Sequence, residues 1–548
     1  MTEAITVAQA LARELSQVGV RRMFGVPGGG SSLDLIEAAG VLGIDFVLTR
    51  TENAAVMMAG ALAETSGIPG VALMTKGPGL ANGTNGVAYA ALDRAPVLVV
   101  SDGFTSTQLG YITHQVFDQK ALLTPLVKGH SRLDGADVYA EIRRLLALAC
   151  TPPFGPVHIE LTSEAARRLI AGAPTQAALV AALAQPSPDR HALDLVQLEK
   201  VRLRMAAARR PVLLLGLEAR RHATAVRRLV ATLGCPVLPT YKAKGVVPDA
   251  NPQVVCLFTG GLQEAECIAQ ADLLVLVGLD PVEMILQPWP YAKPAVAIGA
   301  AHHPVHYVIP EAGVVGPLDA LLGALEEGLR DRPSDWRLDD MALLRRNVRE
   351  RLAYHPVTRG VAPDRVAQLA AAACAKRAVA TRMSVDAGAH MFSATAFFPS
   401  AEPGDTLISN GLATMAFALP AAIAASLDDP TQPVLCFTGD GGLMMCLGEL
   451  STAVQTGARI VVIVFNDSAL SLIDVKQQSR HLPTRGVRWQ QHNFAATMQA
   501  LGGLGLQASS EAEFVSALES ALDAQLPCLI DVLVDPSGYP QQLKAMRG

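Results

Sequence analysis

The sequence has no paired or clustered cysteines. Its eight cysteines are scattered over 548 residues, with no C-x-x-C pair and no Cys/His cluster. This spacing disfavours both a disulfide framework and a zinc site, and it predicts reduced, buried thiols. The first residues, MTEAITVAQALARELSQVG, lack the basic and apolar blocks of a signal peptide. Both features predict a cytoplasmic protein.

Long apolar runs and an excess of one charge are also missing. The longest apolar runs, such as Val97–Val100 and Ile460–Phe465, have the length of strands and are too short to span a membrane. The net charge is −5, without a basic excess or an acidic tail. The basic segment Arg202–Arg210 is interpreted as a helix end with a solvated face, with a phosphate or DNA site as the alternative. We therefore expect no nucleic-acid and no membrane partner.

The chain does contain abundant material for buried cores. Half of the residues are hydrophobic and 17% are charged, and the length is typical of about three domains. Short β-type runs alternate with helical patterns throughout, which is typical of parallel α/β layers. The sequence therefore predicts an α/β fold with three doubly wound parallel-sheet domains.

The predicted domains are residues 1–170, a middle Rossmann-like block at 191–330, and residues 363–548. The segment Gln185–Arg190 (QPSPDR) is predicted to be a linker. The predicted strands are Arg22–Phe24, Asp45–Thr49, Gly70–Thr75, Pro96–Ser101 and Val157–Leu161 in the first block; Pro211–Leu215, Pro236–Pro239, Leu273–Val277 and Ala295–Ile298 in the second; and Val434–Thr438, Ile460–Phe465 and Leu529–Val534 in the third.

The sharpest local signal is VLCFTGDGGLMMCLGELSTAVQTGARIVVIVFND, which begins at Val434. Its pattern predicts a strand, a G-D-G turn with Asp440, a helix over Leu443–Thr456, and a second strand that ends before Asp467. Because ligands lie outside the carboxyl ends of parallel strands, we expect Asp440 and Asp467 to lie close together. Two oxygen ligands beside a glycine turn and a helix N-terminus suit a hard cation that holds a diphosphate. For G-D-G alone, an ordinary turn with a helix cap is the alternative.

The spacing of this segment resembles the cofactor signature of the thiamine-diphosphate-dependent enzyme family. G-D-G is followed by 24 residues and then by Asn-Asp, where the family usually has Asn-Asn. Asp467 keeps an oxygen ligand there and adds one negative charge. The resemblance implies that Mg²⁺ is bound by Asp440, Asp467 and the backbone carbonyl of Ala469. It also implies that the diphosphate contacts Gly441 and Gly442.

A glutamate near the other end of the chain is the second candidate. In FVLTRTENAAVMMAGALAE a predicted strand precedes an apolar helix, and Glu52 stands at the start of that helix, where the dipole stabilises a carboxylate. An ordinary helix-start Glu is the alternative. The position resembles the family glutamate that hydrogen-bonds N1′ of the aminopyrimidine, often within His-Glu-Gln. In that role a proton shared between Glu52 and N1′ favours the imino tautomer, whose nitrogen takes the thiazolium C2 proton.

Further motifs, in the same order, resemble the acetolactate-synthase-like branch over nearly the whole chain. FGVPGGGS resembles FGxPGG, and TKGPGLAN resembles TSGPGATN with Lys76 in place of Ser. HQVFDQKALLTPLVK resembles FQExDxxxxxxPxxK with His114 in place of Phe. The resemblance implies that His114, Gln115 and Lys128 line the active site as catalytic residues. It places Gly29 and Lys76 on the substrate side.

In the third block, DAGAH resembles DVGQH, and ISNGLATMAFALPAA resembles the segment that props the cofactor in its bent V shape. The resemblance implies that Gly388 and His390 contact the diphosphate. Met415 would be the prop, and the carbonyl of Ala413 would receive the 4′-amino group. For His390 and Met415 taken singly, buried core residues are the alternative. The first block would then be the pyrimidine-binding domain and the third the diphosphate- and Mg-binding domain.

The substrate end of the site departs from the family pattern. After the metal ligands the chain reads SALSLIDVKQQ, where biosynthetic relatives have Met, Val and Trp. The resemblance implies that Leu472 contacts the cofactor and faces the substrate together with Ile473 and Lys476. Lys76, Lys476 and His114 are expected to bind an anionic group such as a carboxylate or an acyl phosphate. Lysines that point to solvent are the alternative.

The middle block lacks the FAD-binding motifs of biosynthetic acetolactate synthases. LLLGLEARRHA and VGLDPVEM stand where those enzymes have a Gly-rich loop and an Arg-Phe-Asp-Asp motif. Lone glycines such as Gly216 are weak evidence for a dinucleotide. We therefore expect thiamine diphosphate and Mg²⁺ as cofactors, and no FAD.

The resemblance implies a carboligase or decarboxylase of 2-oxo acids. The histidine that benzoylformate decarboxylases carry near Thr75 is absent, which favours a carboligase. A lyase of the 2-hydroxyacyl-CoA or oxalyl-CoA type, with coenzyme A on the middle domain, is the alternative. A non-catalytic paralogue is disfavoured because Glu52, Asp440 and Asp467 are all present. In relatives the cofactor lies between two subunits, so we expect a homodimer or homotetramer with active sites at the subunit interface.

Overall fold

The computed structural model describes residues 4–172, 193–284, 288–304, 307–354 and 359–547. The chain forms two compact units. Unit 1 comprises Met1–Pro188, Gly411–Thr431 and Cys446–Ala458, and unit 2 comprises Asp189–Asn410, Gln432–Met445 and Arg459–Gly548. The predicted linker Gln185–Arg190 lies outside the described residues.

Unit 1 is built on one parallel sheet. The strands of this unit are β1 (Ala4–Thr6), β2 (Arg22–Val26), β3 (Asp45–Leu48), β4 (Gly70–Met74), β5 (Val97–Gly103), β6 (His130–Ser131), β7 (Val157–Thr162) and β8 (Leu169–Ala171). The sheet has the order β3-β2-β4-β5-β7-β6 with all neighbours parallel, and β1 and β8 form a separate antiparallel pair. Strand β4 is buried along its whole length because both faces of such a sheet are covered.

Unit 2 contains two further parallel sheets. Its strands are β9 (Pro211–Leu215), β10 (Val237–Pro239), β11 (Leu273–Val277), β12 (Ala295–Gly299), β13 (Ala312–Val315), β14 (Arg382–Val385), β15 (Thr406–Ile408), β16 (Val434–Gly439), β17 (Ile460–Asn466), β18 (Leu504–Ala508) and β19 (Cys528–Leu533). The orders are β10-β9-β11-β12-β13 and β15-β14-β16-β17-β19-β18. The three parallel sheets confirm the predicted fold class.

Helices follow most strands, as parallel connections require. In the described residues they are α1 (Val7–Gln17), α2 (Ser31–Val41), α3 (Glu52–Ser66), α4 (Pro78–Leu92), α5 (Ser106–Leu109), α6 (Gln119–Leu123), α7 (Val138–Ala149), α8 (Ser163–Arg167), α9 (Leu195–Ala207), α10 (Ala223–Leu233), α11 (Ala265–Ala269), α12 (Leu318–Gly328), α13 (Leu338–Leu352), α14 (Pro363–Lys376), α15 (His390–Phe397), α16 (Ala418–Asp428), α17 (Asp440–Met445), α18 (Glu449–Thr456), α19 (Ser471–Ser479), α20 (Phe494–Ala500), α21 (Glu511–Asp523) and α22 (Tyr539–Arg547). No helix among the described residues is both long and apolar enough to cross a bilayer.

Helix α3 lies in the core of unit 1. Its residues from Ala54 to Ala61 are all buried, and it packs against both α4 and α16. The ring centroids of Tyr89 and Phe417 lie 4.9 Å apart across this packing. A helix that is apolar on all sides is stable only in such a buried position. The first residue of α3, Glu52, is therefore carried by a rigid element.

The prediction of one helix over Leu443–Thr456 is wrong. The structure has two helices there, α17 and α18. In the first turn of α18 the N–H groups of Glu449 and Ser451 donate to carbonyls only three residues back, those of Cys446 and Gly448, at 2.9 and 3.0 Å. Such tighter turns change the direction of the chain. Several short strands, among them β6, β15 and β18, were also not predicted because two to five residues give little periodic signal.

Candidate active site

Two carboxylates follow the neighbouring parallel strands β16 and β17 in unit 2. Gly439 pairs with Phe465 in this ladder, so the strands end at the same edge. Asp440 is 1% exposed, and its Oδ2 accepts from the backbone N–H of Ser468 at 2.7 Å. Asp467, the residue before Ser468, accepts from the hydroxyl of Ser471 at 2.5 Å. The structure thus brings Asp440 and Asp467 together.

The electrostatics of this edge are unfavourable without a cation. Burial, reinforced by the charge of Asp467, raises the pKa of Asp440 to about 7. Burial also raises the pKa of Asp467 to about 6. In the part of the chain that the structure describes, no group of three or more His, Cys, Asp or Glu could hold a metal. A metal here would therefore take two carboxylates from the protein and complete its shell with a carbonyl and with ligand oxygens.

The glycines after Asp440 leave no room for larger residues. A Cβ added to Gly441 would lie 2.8 Å from Leu470 Cδ2 and 3.2 Å from Trp489 Cη2. A Cβ added to Gly442 would overlap the carboxylate of Asp386. The carboxylate of Asp386 in turn accepts from the hydroxyl of Thr438 at 3.1 Å. Without side chains at these two positions, the backbone of the turn can approach a bound group closely, as a phosphate site requires.

His390, the first residue of α15, is buried beside this turn. Its ring packs on Phe465 at 5.3 Å between centroids, and it lies against Gly388 and Gly439. Burial lowers the pKa of His390 to about 4, so the imidazole is neutral at pH 7. Its Nε2 is buried and has no hydrogen-bond partner among the described residues. A buried, unpaired ring nitrogen is costly, and a bound ligand oxygen would satisfy it.

The residues that follow Asp467 lie on α19 or directly before it. Leu472 is half-buried, Ile473 is 43% exposed and Lys476 is exposed. Ala469 pairs with Arg488 in an isolated antiparallel bridge. These four residues thus stand at or near the surface of unit 2, where a ligand can reach them.

Glu52 begins α3 in unit 1, as predicted. Thr51 is the N-cap, and its side chain accepts from the backbone N–H of Ala54 at 3.2 Å. The half-buried Glu52 accepts from the side-chain amide of Asn82 at 2.5 Å. A Cβ added to Gly79 would lie 3.2 Å from Glu52 Oε1, so the start of α4 closes around this carboxylate. Asn82 therefore orients Glu52.

The loop before α2 is held from below by a buried aspartate. Asp102, 1% exposed at the end of β5, accepts from the hydroxyl of Ser31 at 2.7 Å and from both the N–H and the hydroxyl of Ser32. A Cβ added to Gly28 would overlap Asp102 and Thr75, whereas one added to Gly29 would meet nothing within 4 Å. One face of this loop is therefore packed and the other is open.

This difference between neighbouring glycines gives a matched pair of variants. Gly28→Ala should lower the free energy of unfolding by about 1–3 kcal/mol, because a methyl group cannot be fitted against Asp102 and Thr75. Gly29→Ala should keep the free energy of unfolding within about 0.5 kcal/mol of the wild type. It should act only on KM, since a Cβ at this position points into open space. Chemical denaturation and steady-state kinetics check both. Equal stability of the two variants would contradict the packing described here.

Lys76 and Gln115 lie at the carboxyl end of β4. The ammonium of Lys76 stands 4.7 Å from the centroid of the Phe104 ring, a cation–π contact. Gln115 has a positive φ of 60° and packs on Gly77, whose φ is 66°. His114, the preceding residue, is exposed. Lys76, Phe104 and Gln115 thus form a polar surface beside the glycine loop.

Lys128, which the resemblance places in the active-site lining, is held by backbone carbonyls of the fold. Its ammonium donates to the backbone carbonyls of Leu148, Thr151 and Pro153 at 2.5, 2.6 and 2.7 Å. These carbonyls belong to the last turn of α7 and the loop after it, where a cation is stabilised by the helix dipole. All three ammonium donors are used in this way, so Lys128 ties down the end of α7.

Lys128→Met is therefore expected to act on stability. The substitution leaves three carbonyls without a donor and should lower the free energy of unfolding by about 1–3 kcal/mol. The kcat and KM of the folded enzyme should remain unchanged. Lys120→Met, which removes an exposed lysine from α6, is the control and should leave stability unchanged. A Lys128→Met enzyme with normal stability and a raised KM would instead support an active-site role.

The segment with Ala413 and Met415 belongs to unit 1. Ala413 and Ala416 have positive φ values of 54° and 67°, which non-glycine residues rarely adopt. The carboxylate of Asp93 accepts from the N–H groups of Gly411 and Leu412, both at 3.3 Å, and so holds the segment. Met415 is half-buried between the two left-handed alanines. Strained backbone of this kind is maintained only where the surroundings impose it.

Sequence reasoning missed four residues that the structure places beside these positions. Asn82 stands inside a motif that was recognised, and Asp102 follows a strand that was predicted, so both carried a signal. Trp489 is packed on the turn at Gly441, with its indole nitrogen buried and unpaired among the described residues. Trp489 and Glu449 have no local sequence signal.

Three family models match most of the chain. Residues 5–122 match the thiamine pyrophosphate enzyme N-terminal TPP binding domain, residues 198–325 the central domain, and residues 386–532 the C-terminal TPP binding domain. The acetolactate synthase isozyme 3 large subunit of Escherichia coli is 28% identical over 99% of this chain and 97% of that protein. The acetolactate synthase of Bacillus subtilis is 27% identical over 95% and 92%.

Two further relatives widen the comparison. The probable 2-ketoarginine decarboxylase AruI of Pseudomonas aeruginosa is 30% identical over 91% of this chain and 89% of that protein. The solved Rhodococcus jostii RHA1 thiamine diphosphate-dependent 4-hydroxybenzoylformate decarboxylase shares the fold, with a TM-score of 0.81 and 21% identity over 97% and 99% of the two chains. The chain therefore belongs to the thiamine pyrophosphate enzyme family, in its acetolactate-synthase-like branch, and is a thiamine-diphosphate-dependent enzyme of carbon–carbon bond chemistry.

Proposed function

We propose that the protein is a Mg²⁺-dependent carboligase that decarboxylates a 2-oxo acid and joins the remaining fragment to a second carbonyl compound. The observation that carries the proposal is the pair of buried carboxylates, Asp440 and Asp467, beside a glycine turn. Thiamine diphosphate, when bound, supplies an electron sink for the carbon beside a carbonyl. We also propose a pyrimidine-binding domain at residues 1–170, a middle Rossmann-like domain at 191–330 and a diphosphate- and Mg-binding domain at 363–548.

The residues at the carboxyl ends of β16 and β17 fit this cofactor. Asp440, Asp467 and the carbonyl of Ala469 would bind Mg²⁺, which prefers oxygen ligands and tolerates phosphate oxygens among them. The backbone of Gly441 and Gly442 would approach the diphosphate, as would Gly388. The unpaired Nε2 of His390 supplies a further hydrogen bond there. The contacts of Leu472 and Met415 with the cofactor, and the acceptor role of the Ala413 carbonyl, belong to the same proposal.

Glu52 would hold a proton at N1′ of the aminopyrimidine. A carboxylate at a helix N-terminus, oriented by Asn82, is poised for this because its position is set by packing and by a hydrogen bond of 2.5 Å. The closeness of Gly79 to Glu52 restricts water on that side. In this proposal Glu52 contributes to the chemistry by holding one proton in a fixed position at N1′.

The surface beside the glycine loop suits an anionic substrate. Lys76 has no ion pair among the described residues, and its ammonium stands over the ring of Phe104, so its charge is available for a carboxylate. Gln115 and His114 add polar contacts, and Gly29 leaves open space. We propose that the carboxylate of a 2-oxo acid binds here. Ile473 and Lys476 would set which acceptor is taken.

In the reaction, the bond between C1 and C2 of the 2-oxo acid breaks and CO₂ leaves. C2 then forms a bond to the carbonyl carbon of the acceptor, and the acceptor oxygen takes up one proton. With pyruvate in both roles, two pyruvates and one proton give acetolactate and CO₂. A lone decarboxylase would need a proton donor at C2 in place of the acceptor.

We further propose that the middle domain binds no FAD. Gly216 follows β9, but a Cβ on it would overlap the Gly278 carbonyl, so this glycine serves the packing of two loops. Two carboxylates, the half-buried Glu218 and the buried Asp280, stand at the same edge of the sheet. Carboxylates repel the phosphates of a dinucleotide. We also propose a cytoplasmic location, in accord with eight cysteines that form no disulfide among the described residues. The family arrangement supports a homodimer or homotetramer.

Turnover of pyruvate by the purified protein, with thiamine diphosphate and Mg²⁺, tests the proposed function. CO₂ and acetolactate are followed together, with a cofactor-free control. Acetolactate formation would establish carboligation. CO₂ without acetolactate would indicate a decarboxylase. No CO₂ above the control, with the cofactor shown to be bound, would overturn the proposal for pyruvate and favour the acyl-CoA lyase, which is then assayed with an acyl-CoA.

A further inference from the structure

A second glutamate holds the main chain directly before Glu52. Glu449, the first residue of α18, is 0% exposed and belongs to unit 1 together with Glu52. Its Oε1 accepts from the backbone N–H groups of both Arg50 and Thr51, each at 3.0 Å. Its Oε2 accepts from the hydroxyl of Thr452 at 2.8 Å. Both oxygens of a fully buried carboxylate are therefore committed to fixed donors.

The two N–H donors, those of Arg50 and Thr51, lie directly before the first residue of α3. Thr51 is the N-cap of α3 and Glu52 is its first helical residue, so the two N–H groups lie just outside the helix, where no helical carbonyl can accept from them. Gly448 allows the close approach, since a Cβ there would lie 3.2 Å from Arg50 Cβ. The Arg50 side chain adds exposed bonds of 2.7 Å to Ser451 and Gln455.

The cost of this arrangement indicates a function beyond packing. Burying a carboxylate is unfavourable, and burial raises the pKa of Glu449 even against its three hydrogen bonds and the charge of Arg50. The N–H groups of Arg50 and Thr51 could instead be bound by an uncharged side chain or by water. Either would cost less free energy than a buried carboxylate. A buried carboxylate that accepts two successive N–H groups, however, fixes the direction in which the next residue leaves the main chain.

We propose that Glu449 is a positioning residue: by fixing the N–H groups of Arg50 and Thr51 it sets the orientation of the Glu52 carboxylate toward the aminopyrimidine. The inference rests on the proposed role of Glu52. It assigns to a residue of the third predicted domain a function in the proton chemistry of the first. Asn82 thus orients the side chain of Glu52, and Glu449 fixes the main chain directly before it.

The test compares three variants at this position with the wild type. Glu449→Gln keeps an oxygen acceptor for the two N–H groups, Glu449→Ala removes it, and Glu449→Asp withdraws it by one methylene. The control, Gln455→Ala, removes only an exposed bond to the Arg50 side chain. The readouts are the hydrogen–deuterium exchange rate of the thiazolium C2 proton, kcat and KM, the affinity for thiamine diphosphate with Mg²⁺, and amide exchange at Arg50 and Thr51 in cofactor-free protein.

Glu449→Ala should slow C2 exchange and kcat by about 10- to 100-fold, as small displacements of a catalytic group do, with KM and cofactor affinity changed by less than about 3-fold. Amide exchange at Arg50 and Thr51 should be about 10-fold faster than in the wild type, as expected for lost protection. Glu449→Gln and Gln455→Ala should stay within about 3-fold of wild type in every readout. If Glu449→Ala does not fold, Glu449→Asp should show the same losses.

Normal C2 exchange in a folded Glu449→Ala or Glu449→Asp protein would overturn the inference. An equal loss in Glu449→Gln would also overturn it, because charge and not hydrogen bonding would then matter. Glu52→Gln, measured alongside, separates the two proposals. If Glu52→Gln is impaired and the Glu449 variants are not, only the positioning role fails. If Glu52→Gln exchanges normally, the proposed function of Glu52 fails.

Discussion

Replacing Glu52 with Gln is expected to lower the rate of product formation by about 10²- to 10⁴-fold, the range that a general acid–base group contributes. The amide has the same shape, so it can still pair with Asn82 and remain at the start of α3. It cannot exchange a proton with N1′ at neutral pH. The measurement is kcat with saturating cofactor, together with the C2 exchange rate and the melting temperature.

A matched control lies on the same helix. Glu64 in α3 accepts from the hydroxyl of Tyr89 at 3.1 Å, so Glu64→Gln makes the same chemical change away from the start of the helix. Glu64→Gln should keep activity within about 2-fold of wild type, as for a surface change without a catalytic role. Full activity of a folded Glu52→Gln enzyme would refute the mechanistic assignment.

Replacing Asp440 with Ala or Asn is expected to abolish Mg²⁺-dependent binding of thiamine diphosphate. One of two protein carboxylates is lost, and the site then lacks the charge that a hard cation requires. Isothermal titration calorimetry with and without Mg²⁺ measures this directly. Tight, Mg²⁺-dependent binding by the variant would show that the metal is held elsewhere.

The same substitution should make the cofactor-free protein more stable at neutral pH. The folded pKa of Asp440 is raised to about 7 from an ordinary value of 3.8. Stability due to its protonated form is therefore complete below about pH 4 and is lost as the pH rises to about 7. Asp440→Asn lacks this loss and should exceed the wild type by on the order of 2 kcal/mol at pH 8.

Melting temperatures at pH 5 and pH 8, without metal or cofactor, measure the effect. The wild type should fall more between the two values than Asp440→Asn. Asp405→Asn, which removes a carboxylate that accepts from the N–H groups of Ala401 and Glu402, is the control and should not gain stability at pH 8. A wild type whose stability does not depend on pH in this range would contradict the raised pKa.

Much of the fold could be predicted because the signals are local. The strands at Pro211–Leu215 and Leu273–Val277 were predicted at their observed limits, since continuous apolar runs between turns are typical of buried parallel strands. The helix after G-D-G was predicted wrongly, because its break depends on backbone bonds around Cys446 and Gly448 that no periodicity reveals. The periodicity of one helix over Leu443–Thr456 does not differ visibly from that of two shorter helices in the same stretch.

Among the candidate residues, too, some contacts could be predicted from the sequence and others could not. Asp440 and Asp467 could be predicted to meet because they follow adjacent parallel strands, a relation that the strand–helix–strand pattern carries. The partners of Lys128 could not be predicted, since its three carbonyl acceptors come from the end of α7 and from the loop beyond it. A motif places a residue in sequence but does not state which neighbours use its donors.

The sequence by itself determined the fold class, the family and the positions of the two carboxylates and of Glu52, because each depends on residue types at short, regular spacings. The tertiary structure alone decided which side chains are free to act. It showed Asn82 on Glu52, Asp102 beneath the glycine loop and Glu449 on the N–H groups before Glu52. Glu449 lies 397 residues after Glu52 in a chain of 548 (449 − 52), and only folding brings such distant residues into hydrogen-bond contact.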